Sequence, residues 1–106
     1  MVEYEVKCPS GAVYKLKRLN YLDKKNVYKV ATKFETEKNI DTGKDEVKTT
    51  VDPYVMLEES LWRMIVSAPW LPEGKKCSKE MLENIEGDDG DVLDKKVEDL
   101  NFPSKD

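Results

Sequence analysis

The sequence predicts an α+β fold, an N-terminal antiparallel β-hairpin packed on a small bundle of three to four helices. Three observations carry this expectation. Apolar and polar residues alternate on both sides of a Pro9-Ser10-Gly11 turn, which is the period of half-buried strands. Further on, apolar residues recur at helical spacing behind Asn20 and Asp52, both of a type that favours helix starts. Finally, 106 residues with 39% apolar content suit a single domain spanning 1–106, long enough to build a core without covalent or metal staples.

Each element follows in order. Val2, Tyr4, Val6 and Cys8 oppose Glu3, Glu5 and Lys7, and after the turn Ala12, Tyr14 and Leu16 oppose Val13, Lys15 and Lys17, giving a hairpin over about 2–18. A first helix is expected over about 20–35, capped by Asn20, with Asp23 favoured by the helix dipole in the first turn. Its buried stripe would be Val27, Val30, Ala31 and Phe34, and its wet face Lys25, Lys29 and Lys33. The polar stretch from about 37 to 50 contains Asp41-Thr42-Gly43-Lys44 as a turn; it reads as a mobile loop or a small hairpin, with Val47–Val51 able to add a short strand. The second helix, about 53–68, has Asp52 as cap and Pro53 in the first position, where its missing N–H costs nothing. Tyr54, Leu57, Leu61, Met64, Ile65 and Ala68 fall on one stripe of it, and Val55, Trp62 and Val66 on a second face. Pro69 ends this helix, leaving Trp70-Leu71-Pro72-Glu73-Gly74 as a stiff apolar connection. A short helix over about 78–86 stops at Gly87 as a C-terminal cap. A last helix, capped by Asp91, runs over about 91–100 on Leu93, Val97 and Leu100, before a frayed tail over 101–106.

Composition excludes whole classes of chemistry. Histidine is absent, which removes Ser-His-Asp, Cys-His and H-E-x-x-H arrangements. The two cysteines, Cys8 and Cys77, lack C-x-x-C spacing; a disulfide or two free thiols are both open, and a reducing compartment favours the thiols. Residues 1–50 hold 11 Lys/Arg against 8 Asp/Glu and the remainder 7 against 14, so that +3 and −7 make the overall −4. An acidic domain disfavours nucleic acid as a partner. Apolar runs fall short of the ~20 residues that span a bilayer, and Met1-Val2-Glu3-Tyr4 lacks the layout of a secretion signal, so the expectation is a cytoplasmic protein without membrane contact.

Candidate chemistry is correspondingly narrow. The acids Glu86, Asp88, Asp89, Asp91 and Asp94 fail the calcium-loop pattern, since counting back five from Gly90 lands on Ile85, and they serve as caps and turn residues. All five glycines punctuate turns and none makes a phosphate-binding loop. No catalytic residue, cofactor or metal is therefore expected. The stripe Lys25, Lys29, Lys33 beside Tyr21 and Tyr28 reads as a solvated face, with phosphate or single-stranded base contact the sharper alternative. Trp62 and Trp70 are either core on both sides of a central helix or anchors for another protein, because tryptophan is enriched at binding hot spots. On the second reading the partner-binding residues are Val55, Trp62, Val66, Trp70 and Leu71, and the two-sided helix also makes self-association a possibility.

Four stretches carry a family resemblance. Val6-Lys7-Cys8-Pro9-Ser10-Gly11-Ala12-Val13-Tyr14-Lys15-Leu16, Leu19-Asn20-Tyr21-Leu22-Asp23, Leu61-Trp62-Arg63-Met64-Ile65-Val66, and Ser78-Lys79-Glu80-Met81-Leu82 followed by Leu93 to Leu100 resemble, in that order, the hairpin, first helix, central apolar helix and closing segment of the small tail assembly chaperones of tailed bacteriophages. The resemblance implies a non-enzymatic protein that binds the long helical tape-measure protein in the cytoplasm of the infected host, keeps its apolar surface from aggregating and passes it to tail-tube subunits. A methionine- and tryptophan-bearing face suits that work, since methionine adapts its shape and tryptophan supplies area. The alternatives are a structural virion component, a tail or head-completion protein that forms rings, and a small nucleic-acid-binding regulator.

Overall fold

The β1–β2 hairpin is the frame on which the other elements are laid. In the computed structural model, which describes residues 2–38 and 40–102, β1 (Glu3–Lys7) pairs antiparallel with β2 (Val13–Lys17), placing Tyr4 opposite Leu16 and Val6 opposite Tyr14. This register collects the apolar side of both strands on one face, where Val6, Tyr14 and Leu16 are buried. Gly11 closes the turn in the left-handed region, at φ 92°, and its N–H donates to the Cys8 carbonyl at 2.9 Å. The expected α+β class, an N-terminal antiparallel hairpin with helices, is the one observed.

The first helix, α1 (Tyr21–Ala31), starts where the sequence places it: Asn20 Oδ1 accepts the Asp23 N–H at 2.8 Å. Its end differs from the expected position near 35. Thr32 is already extended and leads directly into β3 (Thr32–Lys38), which pairs antiparallel with β4 (Asp45–Val51) from Thr32 opposite Val51 to Lys38 opposite Asp45. Of the two readings of the stretch 37–50, a mobile loop or a small hairpin, the structure has the second: most of it is the outer part of a two-stranded ribbon, a sheet separate from that of β1 and β2. The physical reason is period: Thr32-Lys33-Phe34-Glu35-Thr36-Glu37 alternates, and its partner strand supplies a β-branched complement. Val30 and Phe34, expected on the buried stripe of the first helix, are consequently exposed, and only Val27 and Ala31 of α1 are buried. Lys33 leaves the expected lysine face as well and sits in β3, its ammonium 3.5 Å from Asp52.

The second helix, α2 (Pro53–Met64), is capped as expected, Asp52 Oδ1 accepting the N–H groups of Tyr54 at 3.0 Å and Val55 at 3.3 Å. It too ends early. Ile65 turns extended and β5 (Ile65–Ser67) joins the edge of β2, with Leu16 opposite Ile65, Lys15 opposite Ser67 and an irregularity between them. The hairpin thereby becomes a three-stranded sheet of order β1-β2-β5. Ile65, β-branched, gains in Leu16 of β2 a ladder partner that a helix would forgo, while Val66 falls at the irregularity between the two paired positions. Of the stripe assigned to this helix, Leu61, Met64, Ile65 and Ala68 are buried, whereas Tyr54 is 82% exposed.

The closing region departs from expectation in where its last helix begins. Lys79–Asn84 is a single 3₁₀ segment, and α3 (Gly87–Asn101) starts at Gly87, the residue assigned to end the preceding helix. Gly90 lies inside α3, with room for a Cβ. Asp89, Leu93, Val97 and Asn101, spaced at i, i+4, i+8 and i+12, form its buried edge. The two polar members clip the helix to the hairpin. Asp89 accepts the Ser10 N–H at 3.1 Å and also the Ser10 hydroxyl, while Asn101 accepts the Leu19 N–H at 3.1 Å and donates to the Val97 carbonyl at 2.9 Å. Phe102 packs edge-on against Tyr28 at 6.0 Å, so the start of the expected frayed tail is packed; residues 103–106 lie outside the described residues. The core is a single cluster drawn from β1, β2, α1, α2, β5 and α3. Among the described residues no helix is long and apolar enough to cross a membrane.

Candidate partner-binding site

Within β5 Ile65 is buried in the core, and Val66, at the irregularity of the ladder, lies outside, 36% exposed. Two adjoining clefts share Val66 and Gly74. The larger, about 560 Å³, is lined by Trp62, Arg63 and Cys77 with Lys17, Asp23, Lys75 and Lys76 at its rim. The smaller, about 400 Å³, runs past Ser67, Leu71 and Pro72 between Glu3, Lys15 and Glu73. Three of the five residues assigned to partner binding, Trp62, Val66 and Leu71, are therefore brought together along β5. The other two are elsewhere. Val55 is half-buried near the start of α2 and lines neither cleft, and Trp70 is turned to the hairpin, where its indole N–H donates to Tyr14 Oη at 2.9 Å with the rings edge-on at 6.1 Å. The single helical face of Val55, Trp62 and Val66 does not exist as drawn, because the helix stops at Met64.

Trp62 is held rigidly for a half-buried side chain. Its indole N–H donates to Glu59 Oε2 at 2.8 Å, and the Arg63 guanidinium lies 4.2 Å from the ring centroid. Arg63 in turn donates to the Glu59 carboxylate at 2.9 Å and to the Glu59 carbonyl at 2.7 Å, and Lys79 reaches the other carboxylate oxygen at 3.1 Å. Burial alone would raise the Glu59 carboxyl, but the indole N–H, Lys79 and Arg63 together outweigh it and hold the group below the ordinary glutamate range. The positive charge of Arg63 is thus spent inside the protein. Among the described residues, Lys17, Lys75 and Lys76 enter no ion pair within 4.0 Å, so the larger cleft is lined by three lysines besides Arg63 and by the carboxylate of Asp23, with Glu3 opposite Lys17 in the β1–β2 ladder.

Cys77, at the floor of the larger cleft, and Cys8, in the hairpin, are both free and buried. Burial pushes both thiols up, with the Asp89 carboxylate adding to the effect at Cys8, so neither is activated as a nucleophile. Among the described residues no three acidic or thiol groups gather where they could hold a metal ion. The two clefts together present an apolar strip of Trp62, Val66 and Leu71, with lysines predominating beside Trp62 and the carboxylates of Glu3 and Glu73 beside Leu71.

A second uncovered area lies on the β3–β4 ribbon. Phe34 is 73% exposed and Val47 66% exposed, and cross-strand register puts both on the same ribbon face as Val51. The signal that would have found them is the alternation of Thr32, Phe34, Thr36 with charged neighbours, repeated in Val47, Thr49, Val51. The lysines of the cleft rim had no comparable signal, since Lys17 and Lys75-Lys76 converge only when β2 and the 70s loop are folded together. No family model, curated protein or solved structure matches the chain.

Proposed function

We propose that this protein is a non-enzymatic protein-binding module that covers an apolar segment of a partner, and that its work is that of a phage tail assembly chaperone shielding the tape-measure protein. The observation that carries the reading is Val66, exposed between two clefts lined by Trp62 and by Leu71. Apolar side chains in a concave, rigidly supported strip supply the area on which binding rests. Lys17, Lys75 and Lys76 favour a partner segment that carries carboxylates beside its apolar residues, and they speed its encounter by steering. The alternative of a nucleic-acid-binding regulator required Lys25, Lys29 and Lys33 on one helix face, and Lys33 stands outside α1 beside Asp52. The test is co-expression with a tape-measure protein. Its soluble yield should rise several-fold, and Val66→Glu should abolish the gain while leaving the melting temperature of the module itself nearly unchanged. No rise in soluble yield with the unaltered protein would sink the proposal.

A further inference from the structure

The β3–β4 ribbon is an unusual object to leave alone in water. It is a two-stranded sheet in which, apart from half-buried Thr32, every residue is exposed, and among the described residues β3 and β4 pair with each other and with no other strand, so each has a bare outer edge. Isolated two-stranded ribbons are marginally stable, and bare edges are templates for another strand. The ribbon is also two-faced. Thr32, Phe34 and Thr36 lie with Val51, Thr49 and Val47 on one side, and Lys33, Glu35 and Glu37 with Thr50, Lys48 and Glu46 on the other.

We propose that β3 pairs antiparallel, about a two-fold axis, with β3 of a second copy of this chain, in the register centred on Phe34. A two-fold pairing must place one residue opposite itself, and only registers centred on a residue keep like faces together. Centring on Phe34 sets Phe34 opposite its own counterpart, Lys33 opposite Glu35 twice, and Thr32 opposite Thr36 twice. Aromatic, opposite-charge and threonine pairs are the cross-strand combinations that stabilise sheets. The neighbouring centres fail on charge: at Glu35 two carboxylates meet, and at Lys33 two ammonium groups meet. The edge of β4 has one comparable register, centred on Val47, in which Glu46 would face Lys48. There Lys48 is already bound to Glu37 at 2.7 Å, and valine replaces the aromatic pair at the centre. Among the described residues Lys33 makes one ion pair, the longer contact to half-buried Asp52 at 3.5 Å. The result is a continuous four-stranded sheet with one apolar face, formed without using Trp62, Val66 or Leu71, so the proposal stands independently of the partner-binding reading.

Sedimentation equilibrium of the full chain up to about 1 mM, the weak end of specific association, should show a monomer–dimer equilibrium. Lys33→Glu should weaken the dimer by about tenfold or more, an effect of order 1.4 kcal/mol, and Lys33→Glu combined with Glu35→Lys should restore it, since the charges are then exchanged but still opposed. Restoration separates pairing from the contact of Lys33 with Asp52, which the double variant does not rebuild. Phe34→Cys should form an intermolecular disulfide under mild oxidation, because directly opposed residues of antiparallel strands lie within disulfide reach, while Val47→Cys should not. A chain that stays monomeric throughout, a double variant no better than the single one, or faster cross-linking at Val47→Cys, which would mark the β4 edge, each overturns the proposal.

Discussion

Glu59 shows how much a single buried carboxylate organises. In the sequence it is one of two glutamates near the start of a helix, where solvent exposure beside the positive dipole is the natural reading. In the structure it is only 5% exposed and satisfied by three donors, two from the next turn of α2 and one from the 3₁₀ segment. Trp62 and Arg63 stand at helical spacing from it in the sequence, but the third donor, Lys79, appears only once the fold brings it across from twenty residues away. Glu59→Gln should destabilise the protein by about 1–3 kcal/mol at neutral pH, because it removes a charge-assisted partner from two cations and an indole. The pH dependence has a definite sign. The folded carboxyl lies below its ordinary value of 4.5, so the stability it contributes is present above that value and is lost as pH falls through the lower, folded one. Thermal melts of the two proteins should therefore differ most at pH 7, begin to converge as pH falls past about 4.5, and meet only below the lower, folded value. A difference that persists unchanged into acid would mean the glutamine loses packing and not an ionic network.

At the scale of elements, the starts of α1 and α2 are legible in the sequence and their ends are not, while for α3 the end near 100 is legible and the start is not. Asn20 and Asp52 announce α1 and α2 through local chemistry, a short side chain that caps the N–H groups just after it. Ala31 and Met64 end them for non-local reasons: the next residues find strand partners, in β4 and β2, that lie far along the chain. The same cause displaced α3, whose first turn is fixed by Asp89 reaching the Ser10 turn seventy-nine positions back. The apolar alternation of β1 and β2 is readable because one face is buried, whereas the same period in β3 and β4 is faint because its residues are mostly polar, leaving residues 47–51 as a possible strand and residues 32–35 inside the expected first helix. For the candidate site, the outcome was mixed. Trp62, Val66 and Leu71 were named from their chemistry and do line neighbouring clefts, but the reason given, a second face of one helix, fails at Ile65. The ribbon also makes a prediction of its own. None of its residues is buried, and its root is tied to the body by the Asp52 N–H donating to the Ala31 carbonyl at 3.0 Å. Replacing residues 34–49 by an Asn-Gly turn should thus leave the melting temperature within roughly 5 °C of the parent, the shift expected for a change of about 1 kcal/mol. A large drop would show that the ribbon supports the core through α1 and α2.

The whole molecule is longer than its length in residues suggests. A chain of this size packed as a ball has a radius of gyration of about 13 Å, while the Cα radius here is 17.1 Å and the principal extents are 57 × 33 × 27 Å. Seven paired residues at roughly 3.3 Å each extend a ribbon about 23 Å, which accounts for most of the excess length over a compact body. Composition gives no hint of this, because projection depends on what the ribbon lacks, a third strand or a covering helix, and not on what it contains. A projecting arm with a bare edge and an apolar face is suited to reaching beyond the body, and its geometry is measurable in solution. Small-angle scattering at low concentration should return a radius near 17 Å for the full chain and near 13 Å after excision of residues 34–49, with the longest dimension shortened by about 20 Å. A full chain that scatters as a 13 Å sphere would mean the arm folds back on the body, and the edge of β3 would then be closed to any second strand. A full chain whose radius grows with concentration, beside an excised form whose radius does not, would place self-association on the arm and leave the cleft along β5 free for a different partner.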